Sequence, residues 1–271
     1  MSAPLTVSGP PEDAAALLAT AERAARAAGA LLLERFTAGA EAIGTVSSKS
    51  TSTDLVSEAD LAAEAAIRAV LAEERSADAV MGEEGDDTPG TSGRRWIVDP
   101  LDGTINYLYG LDAWCVSVAC EGLAGVVFAP LSGELFASPA APGAPPTCNG
   151  VPLVPSAPAT LAESLVGTGF GYAREIRAAQ APIVAALLPE VRDVRRAGSA
   201  ALDLAWVAAG RLDGYYEFGV KPWDIAAGVL LCAASGRELH ALAGGGALPS
   251  GVLAAAPQIG ADLLARVEPA G

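Results

Sequence analysis

Asp99 and Asp102 stand at i and i+3 at the end of the apolar run Trp96-Ile97-Val98, with Pro100 between them and Gly103-Thr104 directly after. Two carboxylates this close on a turn repel one another unless a cation lies between them. A Gly-Thr step that opens a helix leaves backbone N–H groups without intrahelical acceptors, and such groups suit an anionic oxygen. The pattern describes a place where a divalent metal meets a phosphate. Other acids extend it. Glu83 and Glu84 lie between Gly82 and Gly85 after a short apolar segment, where small neighbours let acidic side chains approach a shared ion. Read alone the run is a solvated acidic loop, since Asp86 and Asp87 follow; beside Asp99 and Asp102 it reads as ligands. Asp224, in Pro222-Trp223-Asp224, falls in the first turn of a helix, where an acid also complements the helix dipole. Asp60, in Ser57-Glu58-Ala59-Asp60, either caps a helix or accepts a hydrogen bond from Thr104, making that hydroxyl a better acceptor from a water nucleophile. A two-metal site needs about four carboxylates with carbonyls and water, and these segments supply them.

The rest of the composition narrows the chemistry. Net charge is −15 with no basic run, so nucleic acid and anionic membrane surfaces are poor partners. A phosphate would be repelled as well, unless bound cations reverse the local field. His240 is the one histidine, which excludes a His-rich zinc site; it sits in an expected late strand and reads as structural. Cys115, Cys120, Cys148 and Cys232 form no C-x-x-C pair, so any metal is held by oxygen, which favours Mg²⁺, Ca²⁺ or Mn²⁺. A Ca²⁺-buffering role is disfavoured because no D-x-[DN]-x-[DN]-G loop occurs. No apolar stretch approaches the ~20 residues of a membrane span, the N-terminus lacks a signal-peptide succession, and scattered thiols suit the cytoplasm.

The elements that must position these residues alternate. A helix is expected from Pro11 to Phe36, a mobile Gly/Ser/Thr-rich loop from Thr37 to Ser52, and a second helix from Asp60 to Glu74, with Leu61, Ala65, Ile67, Val70 and Leu71 inward and Glu64, Arg68 and Glu73 outward. Strands follow at Ala79–Met81, Arg95–Val98 and Trp114–Cys120, and Gly125–Ala129 with Glu134–Ser138 read as a hairpin. Ala140–Pro158 is Pro-rich and reads as a linker or surface excursion, with a tight turn at Asn149-Gly150. Next come a strand at Ser164–Thr168, a helix at Ala173–Leu188, strands at Asp193–Arg195 and Asp213–Phe218 around a helix at Ser199–Ala209, and a helix from Pro222 that stops at Gly236. A strand at Val252–Ala256 and a last helix close the chain. The class is α/β in the broad sense, α+β in detail.

In order and spacing these pieces resemble the inositol monophosphatase family. The resemblance rests on Lys49…Asp54-Leu55-Val56-Ser57…Asp60, Gly82-Glu83-Glu84, Asp99-Pro100-Leu101-Asp102-Gly103-Thr104-Ile105-Asn106-Tyr107, Gly198-Ser199-Ala200-Ala201 and Tyr216-Glu217…Trp223-Asp224. It implies a layered α-β-α-β-α sandwich like that of inositol monophosphatase and fructose-1,6-bisphosphatase. One domain over residues 1–271 is expected, with a metal-site half at about 1–140 and a second half at about 159–271. It implies a Mg²⁺-dependent, lithium-sensitive phosphomonoesterase acting on a small phosphorylated substrate, usually as a homodimer. Glu83, Asp99 and the Leu101 carbonyl would hold one Mg²⁺, and Asp99, Asp102 and Asp224 a second, with a third, weaker ion near Glu83. Glu83, Thr104 and Asp60 would orient the attacking water. Gly103 and Thr104 N–H groups would receive the phosphate, with Lys49 approaching it from solvent. Glu217, Ser199 and Ala200, beside Gly198, would line the alcohol pocket. Inositol monophosphate is the leading substrate; histidinol phosphate, fructose 1,6-bisphosphate and 3′-phosphoadenosine nucleotides are the alternatives within the reaction, and a non-catalytic regulatory protein is the alternative outside it. Lys221-Pro222 stands where some members carry His-Cys, which weakens strict inositol selectivity. Arg195-Arg196 either binds a second acidic group near the pocket wall or is a surface pair.

Overall fold

In the computed structural model, residues 11–39, 44–48, 55–139, 141, 143–155 and 158–268 are described. Pro11–Ala38 forms α1, and Glu58–Glu74 forms α2. Between them Val46–Ser48 (β1) pairs antiparallel with Leu55–Ser57 (β2). The stretch expected to be only a loop therefore holds a strand, because its backbone finds ladder partners in Leu55–Ser57. Lys49 and Asp54 lie outside the described residues.

The larger sheet has seven strands in sequence order: Ala79–Gly82 (β3), Arg95–Asp102 (β4), Cys115–Cys120 (β5), Ala124–Ala129 (β6), Glu134–Pro139 (β7), Thr147–Cys148 (β8) and Val151–Pro152 (β9). Only β3 and β4 run parallel; the rest are antiparallel. The short helix α3 is Thr104–Leu108. β8 and β9 correct the linker reading. Asn149 and Gly150 both adopt positive φ, +50° and +77°, the geometry of a tight hairpin turn, and the hairpin extends the sheet instead of leaving it.

The second sheet has five strands in the order β11-β10-β12-β14-β13, from Leu165–Thr168 (β10), Asp193–Arg195 (β11), Gly214–Phe218 (β12), Glu238–Leu242 (β13) and Gly251–Ala255 (β14). Helices Arg174–Leu187 (α4), Ala200–Ala209 (α5), Pro222–Ala234 (α6) and Gly260–Val267 (α7) complete the chain. α1 and α2 cover the outer face of the larger sheet, around Leu17, Leu32, Ile67 and Trp96. α5 and α6 lie between the sheets, where Leu204, Val207, Leu231 and Cys232 pack against Cys115, Val127, Phe136 and Tyr215. α4 and α7 cover the outer face of the smaller sheet through Leu187, Leu263 and Val267. The order of layers is the expected α-β-α-β-α. α5 and α6 carry almost no charge because both of their faces are buried. Among the described residues no helix is long and apolar enough to cross a membrane.

Candidate active site

β4 ends in an irregularity that the alternation of apolar residues could not show. From Asp99 to Asp102 it advances three residues while β5 advances two, from Ser117 to Cys115. A strict strand would send i and i+3 to opposite faces; one extra residue returns them to the same side. Pro100, with no N–H to give a ladder, is at the bulge. The chain then turns at Gly103, whose φ of +99° is left-handed, and α3 begins at Thr104. A Cβ at Gly103 would lie 2.8 Å from the Ala113 carbonyl, so glycine is required twice over. Behind this turn, Phe36, Tyr107 and Trp114 stack with ring centroids 5.0–5.5 Å apart, and the Tyr107 hydroxyl donates to the Leu32 carbonyl at 2.8 Å.

α2 brings the second set. Ser57 is its N-cap, and Asp60 is the third helical residue of a capping box: Asp60 Oδ2 accepts from the Ser57 N–H at 2.8 Å and from its hydroxyl at 2.5 Å. Its other oxygen lies 3.0 Å from Thr104 Oγ1. One oxygen of Asp60 thus caps the helix and the other lies within hydrogen-bond reach of Thr104. The expected face of α2 needs correction. Leu61 is 52% exposed and Ala65 is exposed, whereas Glu64 is only 3% exposed. The buried stripe runs Asp60, Ala63, Glu64, Ile67, Leu71. Glu64 is turned inward because it accepts the N–H groups of Glu84 and Gly85 at 2.8 and 3.0 Å, with Arg68 Nε donating at 2.7 Å. Hydropathy ranks Glu64 as a surface residue; the only hint was its i+4 spacing from Asp60.

The C-terminal half supplies the remaining wall. Ser199 caps α5; its hydroxyl donates to Asp102 Oδ2 at 2.8 Å, and the Ala201 N–H donates to the same oxygen at 2.6 Å. Asp224, in the first turn of α6, accepts the Lys221 N–H at 2.6 Å. Glu217 on β12 is gripped by the Tyr215 hydroxyl. Together with Glu83, Asp99, Leu101, Asp102, Gly103 and Thr104, the residues Gly198, Ala200, Glu217, Lys221, Trp223 and Asp224 line one cavity of 340 Å³. Of the expected site residues, Asp60 and Ser199 stand behind that wall, in hydrogen-bond contact with Thr104 and Asp102. The cavity wall also includes Phe170, Tyr172, Ile176 and Arg196. The first three come from the turn before α4 and from α4 itself, for which no motif spoke. Of the arginine pair, Arg196 faces the cavity and Arg195 pairs with Asp193.

Charge decides what this cavity can hold. Burial pushes the Asp99 carboxyl well above its usual range, with further upward pressure from Glu83, Asp102 and Asp224. Burial raises Asp102 to about 7 against the lowering effect of its Ser199 and Ala201 donors, and burial raises Asp224 as well. Glu217 is raised by burial, with Tyr215 and Arg196 pulling it back. Buried acids that raise one another in this way form a cation-seeking site. Asp99, Asp102 and Asp224 are each fixed through one oxygen by a donor of the chain, leaving the second to other partners. The all-oxygen donor set fits a hard divalent ion. Among the described residues no three acids are gathered closely enough to ligate one ion as they stand; the fit is one of donor chemistry and shared cavity.

Comparison with known proteins bears directly on this arrangement. A family model described as the inositol monophosphatase family matches residues 13–269. The chain is 42% identical over 246 residues to the inositol-1-monophosphatase of Mycobacterium leprae, covering 85% of this chain and 84% of that one. It is 36% identical over 259 residues to the Nus factor SuhB of Escherichia coli K12, covering 93% and 95%. The solved structure of extragenic suppressor protein suhB from Bartonella henselae matches with a TM-score of 0.85 at 31% identity, over 94% of this chain and 100% of that one. The match thus spans both sheets and every acid of the cavity, and the chain belongs to the inositol monophosphatase family of metal-dependent phosphoric monoester hydrolases that act on small phosphorylated substrates.

Proposed function

We propose that the chain hydrolyses inositol monophosphate to myo-inositol and phosphate with Mg²⁺ held by Glu83, Asp99, the Leu101 carbonyl, Asp102 and Asp224. The observation that carries this reading is the convergence of acids from the β3 end, the β4 bulge and the α6 N-terminus on one cavity. When bound, two such ions would activate a water for in-line attack and stabilise the departing alkoxide. The chain's own residues do the positioning. Thr104 Oγ1 lies 3.0 Å from both Asp60 Oδ1 and the Leu101 carbonyl, and having one proton it donates to one of them at a time. Its lone pairs then remain to accept from the attacking water. The Gly103 and Thr104 N–H groups offer donors to phosphate oxygens, the usual service of a preorganised donor pair in transition-state stabilisation.

At the alcohol end, Tyr215 fixes one oxygen of Glu217 and leaves the other for a substrate hydroxyl. Arg196 lines the same cavity, so a second phosphate would not meet Glu217 unopposed; fructose 1,6-bisphosphate is therefore the second reading. Both sheets contribute to the cavity, which supports one domain over the whole chain. A cytoplasmic homodimer and inhibition by Li⁺ complete the proposal on the strength of family membership. The test is phosphate release from inositol 1-phosphate, histidinol phosphate, fructose 1,6-bisphosphate and adenosine 3′,5′-bisphosphate at saturating Mg²⁺. The highest kcat/KM should fall on inositol 1-phosphate, and a preference of more than tenfold for another substrate would replace it.

A further inference from the structure

We propose that Glu64 is the positioning residue for Glu83, setting the divalent-cation affinity of the site from behind it. The proposal rests on Glu83 being a metal ligand. The loop that carries Glu83 leaves β3 at Gly82 and has no regular element of its own until β4. Further along, its backbone is tied down at Thr88, Thr91 and Ser92; directly after Glu83 a buried carboxylate holds it, with Glu64 Oε2 accepting the Glu84 N–H at 2.8 Å and Oε1 accepting the Gly85 N–H at 3.0 Å. Two successive N–H groups on one carboxylate leave little freedom to the two peptides that directly follow Glu83. Arg68, one turn along α2, donates its Nε to Glu64 at 2.7 Å and an Nη to Thr88 Oγ1 at 3.0 Å, tying the far end of the loop into the same network. The packing around the Glu64 carboxylate is close. A Cβ at Gly82 would lie 2.5 Å, and at Gly85 2.7 Å, from Glu64 Oε1, so both glycines of the Gly-Glu-Glu-Gly run are explained by the carboxylate beneath them. α2 therefore serves the site twice from one stripe, with Asp60 on Thr104 and Glu64, four residues on, under the Glu83 loop.

Outer-sphere partners of this kind typically carry a 10–100-fold share of metal affinity. Glu64→Gln keeps the shape but turns an amide N–H toward one of the two backbone donors. Expected in this variant is about a tenfold weaker Mn²⁺ Kd, measured on the metal-free protein by electron paramagnetic resonance, and a matching rise in the Mg²⁺ concentration for half-maximal activity, with substrate KM at saturating Mg²⁺ within twofold of the parent. Asp78→Asn, which leaves one acceptor oxygen for the two donors Ser92 Oγ and Trp96 Nε1 away from the cavity, should lower Tm without moving the Mn²⁺ Kd. Arg68→Met, milder and on a partly exposed residue, should weaken Mn²⁺ about threefold and stands in if Glu64→Gln does not fold. Parental Mn²⁺ affinity in Glu64→Gln, or in Arg68→Met where it stands in, overturns the positioning role if Glu83→Gln weakens binding; if Glu83→Gln also leaves binding unchanged, the metal-ligand reading itself falls.

Discussion

Asp102 joins the two halves of the site. It is held by Ser199 and Ala201 from the opposite half of the molecule, it borders Cys115, and its carboxyl is raised to about 7 by burial. Asp102→Asn keeps the volume and removes the charge that a cation needs. Turnover should fall by roughly three orders of magnitude, a loss of about 4 kcal/mol in transition-state stabilisation, while circular dichroism stays that of the parent; near-normal steady-state rates would refute the assigned role. Asp203 makes a contrasting case. It is buried on α5, its Oδ1 has no hydrogen-bond partner among the described residues, and burial, aided by Glu217 and Asp102, pushes its carboxyl well above 3.8. A raised folded-state value means that its contribution is intact below about pH 4 and is lost as pH climbs through that raised value. Asp203→Asn has no proton to lose. Its Tm should match the parent near pH 4 and exceed it at pH 8, and a Tm gain confined to low pH would contradict the sign.

The element that matters most is α2 with its cap. Ser57 accepts from the Ala59 N–H and donates to Asp60, so its hydroxyl both starts the helix and orients the acid that faces Thr104. Ser57→Ala should cost about 1 kcal/mol of stability, the usual worth of an N-cap, readable as a shift in the urea midpoint. It should also lower kcat several-fold, because Asp60 is left free to turn away from Thr104. A stability loss with unchanged kcat would show that Asp60 is held well enough by the Ser57 N–H alone. The β4–α3 turn is the other critical element. Gly103→Ala must place a Cβ against the Ala113 carbonyl at a left-handed φ, a strain of about 1–3 kcal/mol, and should depress activity more than stability because the Thr104 N–H shifts with it.

At the scale of the whole molecule, a cavity built from both sheets and carrying clustered acids needs cations to become attractive to phosphate. The net charge of −15 makes the same demand of the surface. Chelation with EDTA should abolish phosphatase activity and Mg²⁺ should restore it, with Tm rising on Mg²⁺ addition through linkage to the folded state. Full activity in excess EDTA would count decisively against the metal reading. Insensitivity to high Li⁺ would count against the inositol assignment while leaving the metal mechanism standing.

The order and type of most elements, and the acids at 83, 99, 102 and 224, were legible in the chain itself, because strand ends, proline and glycine signals and carboxylate spacing are local properties. The class of chemistry followed from the same source: one histidine and scattered cysteines leave only oxygen to hold a metal. Other features were settled only by tertiary contacts. The bulge that brings Asp99 and Asp102 to one side depends on pairing with β5. The β8–β9 hairpin joined the sheet because β7 offered a free edge to a segment whose prolines suggested an excursion. Glu64 was assigned to solvent by hydropathy and proved to be buried, since the N–H groups that satisfy it belong to residues 20 and 21 positions away. Phe170, Tyr172, Ile176 and Arg196 line the cavity only because the second sheet folds over the first. What a residue can do chemically is written in its own side chain; which partner it meets is decided by the fold, because burial and pairing are paid for by groups far along the chain.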